Sequence, residues 1–263
     1  MNFFAVFFLN LIFSCISIFY SMNTFAQTLP QNAQPASARG RVDFVLAASW
    51  QPGFCETRPG KQECVSQREN RFDATHFSLH GLWPQPGSKV YCGVDAAEIA
   101  ADKAGRWHGL PALELDEATR AELDRVMPGT QSSLQRHEWI KHGTCHGGSA
   151  QAYYAQSLRL MAELNGSAVR ALFAARIDME VTVSEIRAAF DDSFGAGAGK
   201  RVKVACVTDP SNGRRLIGEI TIGLAGGFPG DIGEGATLAE LIPAAGTTAP
   251  GCPAGTVDAA GFQ

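Results

Sequence analysis

The chain has 263 residues and a mass of 28.0 kDa, with 45% hydrophobic and 18% charged residues, which is the composition of an ordinary globular protein. This composition argues against intrinsic disorder, which goes with few hydrophobic residues. The formal net charge of −4 and the pI near 5.9 argue against a protein that coats nucleic acid by bulk electrostatics. A polyanionic ligand would therefore have to meet a local positive site.

The N-terminus has the pattern of a secretory signal. The first 26 residues contain no Lys, Arg, Asp or Glu, include a long apolar run, and offer a cleavage site after Ala26. We predict a signal peptide over 1–26 and a secreted or periplasmic protein; the alternative is a retained membrane anchor over 3–20. Residues 27–40 are small and polar and predict a flexible lead-in to a single folded domain at 41–263.

Apolar runs predict two strands and a helix in the first half of that domain. Residues 42–50 form a run of strand length that ends at a Gln-Pro-Gly turn, and 77–80 form a short second strand. A helix is predicted to begin after the capping residue Asp116 and to run to about Met127, because Pro128 follows.

The second half adds helices and a hairpin. Ser149 is predicted to cap a long helix, and 184–190 to form a brief third one. Residues 200–208 and 216–222 flank an Asn-Gly turn and predict a hairpin. The Gly/Ala/Pro-rich part that follows is predicted to be mainly loops held by Cys252. Strands and helices without regular βαβ alternation predict an α+β fold, a mainly antiparallel sheet with packed helices, braced by disulfides.

The cysteines point to disulfides rather than to a metal. Export would remove Cys15 and leave an even set in an oxidising compartment: Cys55, Cys64, Cys92, Cys145, Cys206 and Cys252. Fifteen pairings are possible, and the sequence alone does not choose among them. A zinc site is disfavoured because no Cys-x-x-Cys occurs and the only close Cys/His pair is a Cys-His dipeptide. We expect neither metal nor cofactor.

Chemistry-bearing residues concentrate in two segments, Phe-Ser-Leu-His-Gly-Leu-Trp-Pro at 77–84 and His-Glu-Trp-Ile-Lys-His-Gly-Thr-Cys at 137–145. If the second segment is helical, its two histidines, Glu138 and Lys141 share an arc of roughly 140°, opposite an apolar face. Two imidazoles beside a cation and a carboxylate suit proton transfer at a phosphodiester. A solvated charged face is the alternative. A zincin helix is excluded because His137 and His142 are five residues apart instead of four.

These two segments resemble the ribonuclease T2 family, whose two blocks they match in full. The residues from Asp43 to Cys55 are similar to the family's first strand and cysteine turn, and the resemblance runs from about residue 41 to 222. It implies an α+β endoribonuclease that cleaves single-stranded RNA by metal-independent transesterification, giving 2′,3′-cyclic phosphate ends and then 3′-phosphates. DNA lacks the 2′-hydroxyl and would not be cleaved.

The resemblance also implies roles for individual residues. His142 would be the general base and His80 the general acid, and His137 would hold the phosphate. Lys141 and Glu138 would stabilise the phosphorane, the lysine as a point charge and the glutamate by hydrogen bonding or by tuning its histidine neighbours. The implied disulfides are Cys55–Cys64, Cys92–Cys145 and Cys206–Cys252.

Substrate contacts are expected from three further residues. Trp83 would stack on a base, with a core tryptophan as the alternative. Gln85 stands where many family members have an Asp that helps to select the base, which leaves base preference open, and Arg136 is expected to add a phosphate contact. The remaining tryptophans and histidines are expected to be core, structural or solvent-facing: Trp50, Trp107, Trp139, His76, His108 and His146.

Other function classes remain to be separated by experiment. A secreted binding or effector protein on the same scaffold is the main competitor, since a fold alone does not guarantee chemistry. Loss of a catalytic group would mark it, and none is missing. A zinc hydrolase is the more distant alternative, which a chelator would separate. We expect a monomer without stable membrane association, acting on single-stranded RNA.

Overall fold

The computed structural model describes residues 40–226 and 236–261, which belong to one compact unit. The predicted signal peptide and the alternative anchor lie outside these residues, as does the predicted lead-in apart from Gly40. Within the described ranges, no helix combines the length and apolar character that a membrane span needs.

A six-stranded sheet runs through the described part of the chain. Its strands are β1 (Phe44–Ser49), β2 (Ser78–Pro84), β3 (Glu180–Thr182), β4 (Val202–Thr208), β5 (Arg215–Leu224) and β6 (Ala254–Thr256). The order is β2-β1-β5-β6-β3, and β4 also pairs with β5. Every pairing of named strands is antiparallel except the short β5–β6 contact. The predicted α+β class with a mainly antiparallel sheet is confirmed.

Helices pack against this sheet. Those in the described ranges are α1 (Gln51–Thr57), α2 (Gln62–Val65), α3 (Ala96–Lys103), α4 (Glu117–Val126), α5 (Leu134–Lys141), α6 (Ala150–Asn165), α7 (Ala168–Ala175), α8 (Val183–Phe194) and α9 (Leu238–Ala244). One continuous core lies between sheet and helices, and its largest fully buried side chains include Trp50, Tyr153, Phe77 and Phe173. This layering buries the apolar face of each element.

Two helix starts follow the predicted caps, and a third does not. The side chains of Asp116 and Ser149 accept hydrogen bonds from backbone amides in the first turns of α4 and α6, as predicted. α8 begins earlier than predicted and is longer, because Thr182 and Glu185 form a capping box ahead of it.

The predicted boundaries of the first two strands needed correction. β1 ends at Ser49, and the Gln-Pro-Gly segment after it is the first turn of α1, where proline is well accommodated. β2 extends beyond the predicted 77–80 as far as Pro84, because it pairs with β1 along its whole length up to Phe44. The hairpin of β4 and β5 is confirmed.

The described part of the chain after the hairpin is mainly loop and is held by Cys252, as predicted, but it also contains a helix and a strand that the sequence analysis did not identify. α9 starts with a capping box of Thr237 and Glu240, and it buries Leu238, Leu241 and Ile242 in the core. β6 then completes the sheet by pairing with β3. The apolar spacing within α9 is too short to stand out in a sequence rich in glycine, alanine and proline.

All three disulfides implied by the family resemblance are present: Cys55–Cys64, Cys92–Cys145 and Cys206–Cys252. The first joins α1 to α2, and the third ties β4 to the segment before β6. The second closes a 53-residue separation and ends directly after α5. It therefore braces the C-terminal end of the helix that carries the second motif.

Candidate active site

A β-bulge in β2 sets the orientation of the His80 side chain. Along the β1–β2 pairing, Ala47 lies opposite Gly81 and Ala48 lies opposite Leu79, so His80 is the extra residue of the bulge. In a regular strand, side chains three residues apart point to opposite faces. The bulge removes this opposition, and the rings of His80 and Trp83 meet edge-on at 5.2 Å between centroids.

His80 is held between two carboxylates. Its Nδ1 lies 2.6 Å from Glu219 Oε2, and its Nε2 lies 3.6 Å from Glu138 Oε1. Its side chain is still 35% exposed, so a substrate can reach it. Glu219 comes from β5, two strands away from β2, and sequence analysis did not identify it.

Glu138 lies at the centre of the candidate site. Its side chain is only 1% exposed, and its Oε2 accepts a 2.8 Å hydrogen bond from Trp83 Nε1. Its Oε1 lies 3.6 Å from the Nε2 of His80 and 3.7 Å from the Nε2 of His137. One buried carboxylate thus connects residues of both motifs.

Glycine is required beside this carboxylate. A Cβ built on Gly81 would overlap the carboxylate of Glu138 and the indole nitrogen of Trp83. The glycine of the first motif therefore allows the helix carboxylate to approach β2 closely.

His137 is positioned by residues outside the two motifs. Its Nδ1 lies 2.7 Å from Oδ1 of Asp102, a buried residue of α3. Tyr91 donates its hydroxyl to the other oxygen of that carboxylate at 2.8 Å. The ring of Trp107 stacks on His137 with centroids 4.5 Å apart and an interplanar angle of 21°. Lys61 Nζ in turn lies 5.0 Å from the centre of the Trp107 ring.

His142 closes the site at the end of α5. It is the C-terminal cap residue of that helix, and its buried Nδ1 has no hydrogen-bond partner among the described residues. Its ring lies 5.6 Å from that of Trp83, so His80 and His142 both contact the same indole. The polar arc predicted for the second motif is thus brought to one place, while Ile140 is buried on the other side of the helix.

Two adjacent tyrosines of α6 hold the two motifs in register. The hydroxyl of Tyr153 donates to the carbonyl of Leu82 in β2 and accepts from its amide. The hydroxyl of Tyr154 donates to the carbonyl of Gln135 in α5. Because both rings are fully buried, α6 fixes β2 and α5 relative to each other.

The pKa values of His80 and His142 are shifted in opposite directions. Burial lowers the pKa of His80, but the hydrogen bond with Glu219 and the charges of Glu138 and Glu219 outweigh it, so its pKa is raised above 6.5. Burial, followed by the neighbouring positive charges, lowers the pKa of His142 to about 3. The two shifts therefore favour the protonated form of His80, a proton donor, and the neutral form of His142, a proton acceptor.

The pKa values of Glu138 and Tyr91 are also raised. Burial raises the pKa of the Glu138 carboxyl, and the positive charges around it offset this only in part. Burial, then the hydrogen bond and the charge of Asp102, raise the pKa of Tyr91 to about 12, so its hydroxyl keeps its proton and acts as the donor to Asp102.

A cavity of about 440 Å³ opens on the His80 side of the site. His80 and Glu219 form part of its wall, and the aromatic rings of Phe54 and Trp107 line it together with the cations Arg58 and Lys61. The cavity therefore offers two cations and two aromatic rings to a ligand beside the candidate site, although the carboxylates Glu63 and Glu219 also line it.

The three residues predicted to contact the substrate, Trp83, Gln85 and Arg136, make different hydrogen bonds. Trp83 is half-buried with its nitrogen bonded to Glu138, which replaces the alternative of a purely core residue. Gln85 Nε2 donates to the Trp83 carbonyl at 3.3 Å. Arg136 Nη1 donates to the carbonyls of His108 and Leu110 at 2.8 and 2.7 Å, so it anchors the preceding loop. Its phosphate contact stays a prediction.

The other tryptophans and histidines follow the prediction with one exception. Trp50 is in the core and Trp139 packs against it, whereas the core assignment of Trp107 was wrong. Its ring stacks on His137 and lines the cavity, because the short 3-10 turn that carries it lies next to α5. Three histidines contact their own surroundings instead of the site: His76, His108 and His146.

Sequence reasoning missed Asp102, Glu219 and the role of Trp107. A glutamate within the apolar run of β5 was a visible signal, but its histidine partner is 139 residues away in sequence. Asp102 carried no comparable signal. In the parts of the chain that the structure describes, no cluster of three or more His, Cys, Asp or Glu side chains is arranged to hold a metal ion.

Comparison with known proteins finds similar chains among ribonucleases. The chain is 33% identical over 204 residues to ribonuclease I of Escherichia coli (strain K12), covering 68% of this chain and 76% of that protein. It is 31% identical over 131 residues to a probable ribonuclease of Haemophilus influenzae, covering 47% and 44%. Among solved structures, ribonuclease MC1 from the seeds of bitter gourd is similar at 17% identity and a TM-score of 0.48, covering 82% of this chain and 100% of that one.

A family model gives the assignment, because it matches more than half of the chain. The Ribonuclease T2 family model matches residues 42–234, a range that includes β1, both motifs and the hairpin of β4 and β5. With the one-third identity to ribonuclease I, it establishes that this chain is a T2-type ribonuclease and belongs to the ribonuclease T2 family.

Proposed function

We propose that this ribonuclease is an endonuclease that cleaves single-stranded RNA by a metal-independent transesterification between two histidines. The 2′-oxygen attacks the phosphorus, a 2′,3′-cyclic phosphate forms, and water later opens it to a 3′-phosphate. The observation that carries the proposal is that His80, from β2, and His142, from the end of α5, both contact the indole of Trp83, with ring centroids 5.2 and 5.6 Å away.

The proton balance of the first step uses both imidazoles. Neutral His142 takes the proton of the 2′-hydroxyl as the oxygen–phosphorus bond forms. Protonated His80 gives its proton to the 5′-oxygen as the bond from phosphorus to that oxygen breaks. The lowered pKa of His142 and the raised pKa of His80 support this division of roles.

Three residues would stabilise the charge that develops on the phosphorane. Lys141, one turn from His137 on α5, would act as a point charge on a non-bridging oxygen. His137, held by Asp102, would bind the phosphate. Glu138 would act by hydrogen bonding or by tuning the histidines beside it, whose positive charges partly offset the rise in its pKa on burial.

Base contacts would come from Trp83 and Gln85. The free part of the Trp83 indole would stack on an unpaired base, which favours single-stranded RNA over a duplex. The amide of Gln85 lies near this indole through its bond to the Trp83 carbonyl, and it would contact the base edge. Arg136 would add a phosphate contact through the guanidinium nitrogens that do not bind the loop. We propose a monomer that does not cleave DNA.

An exported location follows from the predicted signal peptide over 1–26. Three disulfides support it, because such bonds persist in the periplasm and outside the cell. Mass spectrometry of the mature protein checks it: we expect residue 27 at the N-terminus, and an intact residue 1 would contradict export by cleavage.

The central experiment uses a defined single-stranded RNA in the presence of a chelator. We expect cyclic phosphate and then 3′-phosphate ends, and a loss of rate in His80→Ala and His142→Ala of roughly 10²–10⁴ each. His76→Ala is the matched control, because that ring stacks on Phe72 away from the site and should leave the rate unchanged.

Each alternative has its own outcome. Near-parental cleavage by either alanine variant would refute the two-histidine assignment. Activity abolished by the chelator would favour a metal hydrolase instead. RNA binding without any cleavage by the parent would indicate a binding or effector protein.

A further inference from the structure

Glu219 makes a short contact with the proposed acid and lies outside both motifs. Its Oε2 is 2.6 Å from His80 Nδ1, and the Ser49 hydroxyl donates to the same oxygen at 3.5 Å. The carboxylate is 23% exposed, so it is partly shielded from water. A charge-assisted hydrogen bond of this length is among the strong ones in proteins.

The sheet fixes the position of Glu219. Glu219 lies opposite Ser49 of β1 and Ala205 of β4. The pairing with β4 then skips Gly218, so a second bulge stands next to this glutamate, as the first stands at His80. Two irregularities in one sheet thus turn two side chains toward each other across β1.

The direction of the contact leaves the other ring nitrogen for chemistry. With Nδ1 bonded to Glu219, the Nε2 of His80 points to the side where Glu138 Oε1 lies 3.6 Å away, within the candidate site. A carboxylate on one nitrogen fixes the tautomer and the orientation of an imidazole that transfers protons through the other.

We propose that Glu219 is a positioning residue for His80: it orients the ring so that Nε2 faces the leaving 5′-oxygen and keeps the imidazole protonated until that oxygen departs. The proposal rests on the proposed function, in which His80 is the general acid. Glu219 does not contact the reacting atoms, so its effect reaches the substrate only through His80.

The charges around His80 determine what the loss of Glu219 does. Glu219 faces the ring from β5, and Glu138 and Lys141 face it from α5. Neutralising Glu219 leaves one negative and one positive neighbour, and the tendency of burial to lower the pKa then has less opposition. An acid acts only while protonated, so the alkaline limb of the pH–rate profile should move to lower pH.

The test compares Glu219→Gln with parent on two substrates that share a base. A dinucleoside monophosphate has a poor leaving group, whose 5′-oxygen must be protonated. The nucleoside 3′-(4-nitrophenyl phosphate) releases an acidic phenol as nitrophenolate, which needs no proton. We expect kcat on the dinucleotide to fall roughly tenfold to a hundredfold, which is at most the low end of the roughly 10²–10⁴ that a general acid itself contributes. The rate on the aryl ester should stay within about twofold.

Two further variants serve as a control and as a conservative replacement. Glu180→Gln makes the same chemical change at an exposed position on β3 of the same sheet and should match the parent on both substrates. Glu219→Asp keeps the charge on a shorter side chain, so it should restore part of the rate and return the alkaline limb toward its parental position.

The outcomes distinguish a failure of the Glu219 proposal from a failure of the assignment of His80 as the general acid. If His80→Ala loses the dinucleotide activity but Glu219→Gln keeps it, Glu219 has no positioning role. Equal losses on both substrates, or an alkaline limb that does not move, would show that Glu219 acts only on the fold, and the proposal would be wrong. If His80→Ala itself cleaves the dinucleotide at the parental rate, the assignment of His80 as the acid fails first.

Discussion

Replacing Asp102 with asparagine should weaken phosphate binding through His137. The Asp102 side chain is 1% exposed, and its Oδ1 lies 2.7 Å from Nδ1 of His137, so the contact is a buried bond to a carboxylate. A hydrogen bond to a charged group contributes about 1.5–3 kcal/mol. At 1.4 kcal/mol per factor of ten, the full loss corresponds to roughly 10- to 150-fold in affinity. Asparagine can still accept a bond, so this is an upper range.

The assay is steady-state cleavage of a dinucleoside monophosphate over a range of concentrations. Because His137 is assigned to phosphate binding, we expect the change mainly in KM, and a matching rise in the inhibition constant of inorganic phosphate. Tyr91→Phe is the matched control: it removes the other hydrogen bond of the same carboxylate and leaves the His137 contact in place. Its KM should stay close to the parental value.

Two results would refute this reasoning. If His137→Ala raises KM and Asp102→Asn leaves it unchanged, the carboxylate does not position the ring. If Tyr91→Phe raises KM as much as Asp102→Asn, the effect comes from a general disturbance of α3. Urea unfolding of all three variants reports whether lost stability accompanies the kinetic change.

Three other changes test the site and its bracing. The base must be unprotonated and the acid protonated, so activity should fall at low pH as His142 takes up a proton and at high pH as His80 loses one. With the pKa of His142 lowered to about 3 and that of His80 raised above 6.5, the acidic limb of the pH–rate profile should lie near pH 3 and the alkaline limb above pH 6.5; an alkaline limb below pH 6.5 would contradict the assignment. Gly81→Ala should reduce activity and lower the free energy of unfolding, because the added methyl group would overlap the carboxylate of Glu138 and the indole of Trp83. Parental activity and parental stability in urea unfolding would show that these side chains can move aside. Removing the Cys92–Cys145 disulfide, with its separation of 53, should lower the free energy of unfolding by about 4 kcal/mol through loop entropy. The α1–α2 disulfide, with its separation of 9, should contribute about 2.6 kcal/mol. Urea unfolding measures both losses, and the reverse order would contradict the loop-entropy explanation.

Local sequence patterns predicted most of the elements that have a strong local signal. The caps Asp116 and Ser149 and the Asn-Gly hairpin act over a few residues, so they are visible before the chain folds. α9 and β6 were missed, because a short helix and a three-residue strand are stabilised by packing and by pairing with distant segments. Trp107 was assigned to the core for a related reason, since bulk and apolarity alone do not reveal a stack on His137.

Local spacing establishes which residues are available for chemistry: two blocks of fixed spacing, the polar face of α5, and six cysteines within the folded domain. How these residues meet depends on the packing of distant elements. The bulge at His80 depends on pairing with β1, and its contact with Glu219 depends on strand order, so neither is written in local spacing. Asp102 reaches His137 only because α3 packs beside α5. Side-chain convergence across separate elements depends on the burial of shared surface, which is a property of the whole fold.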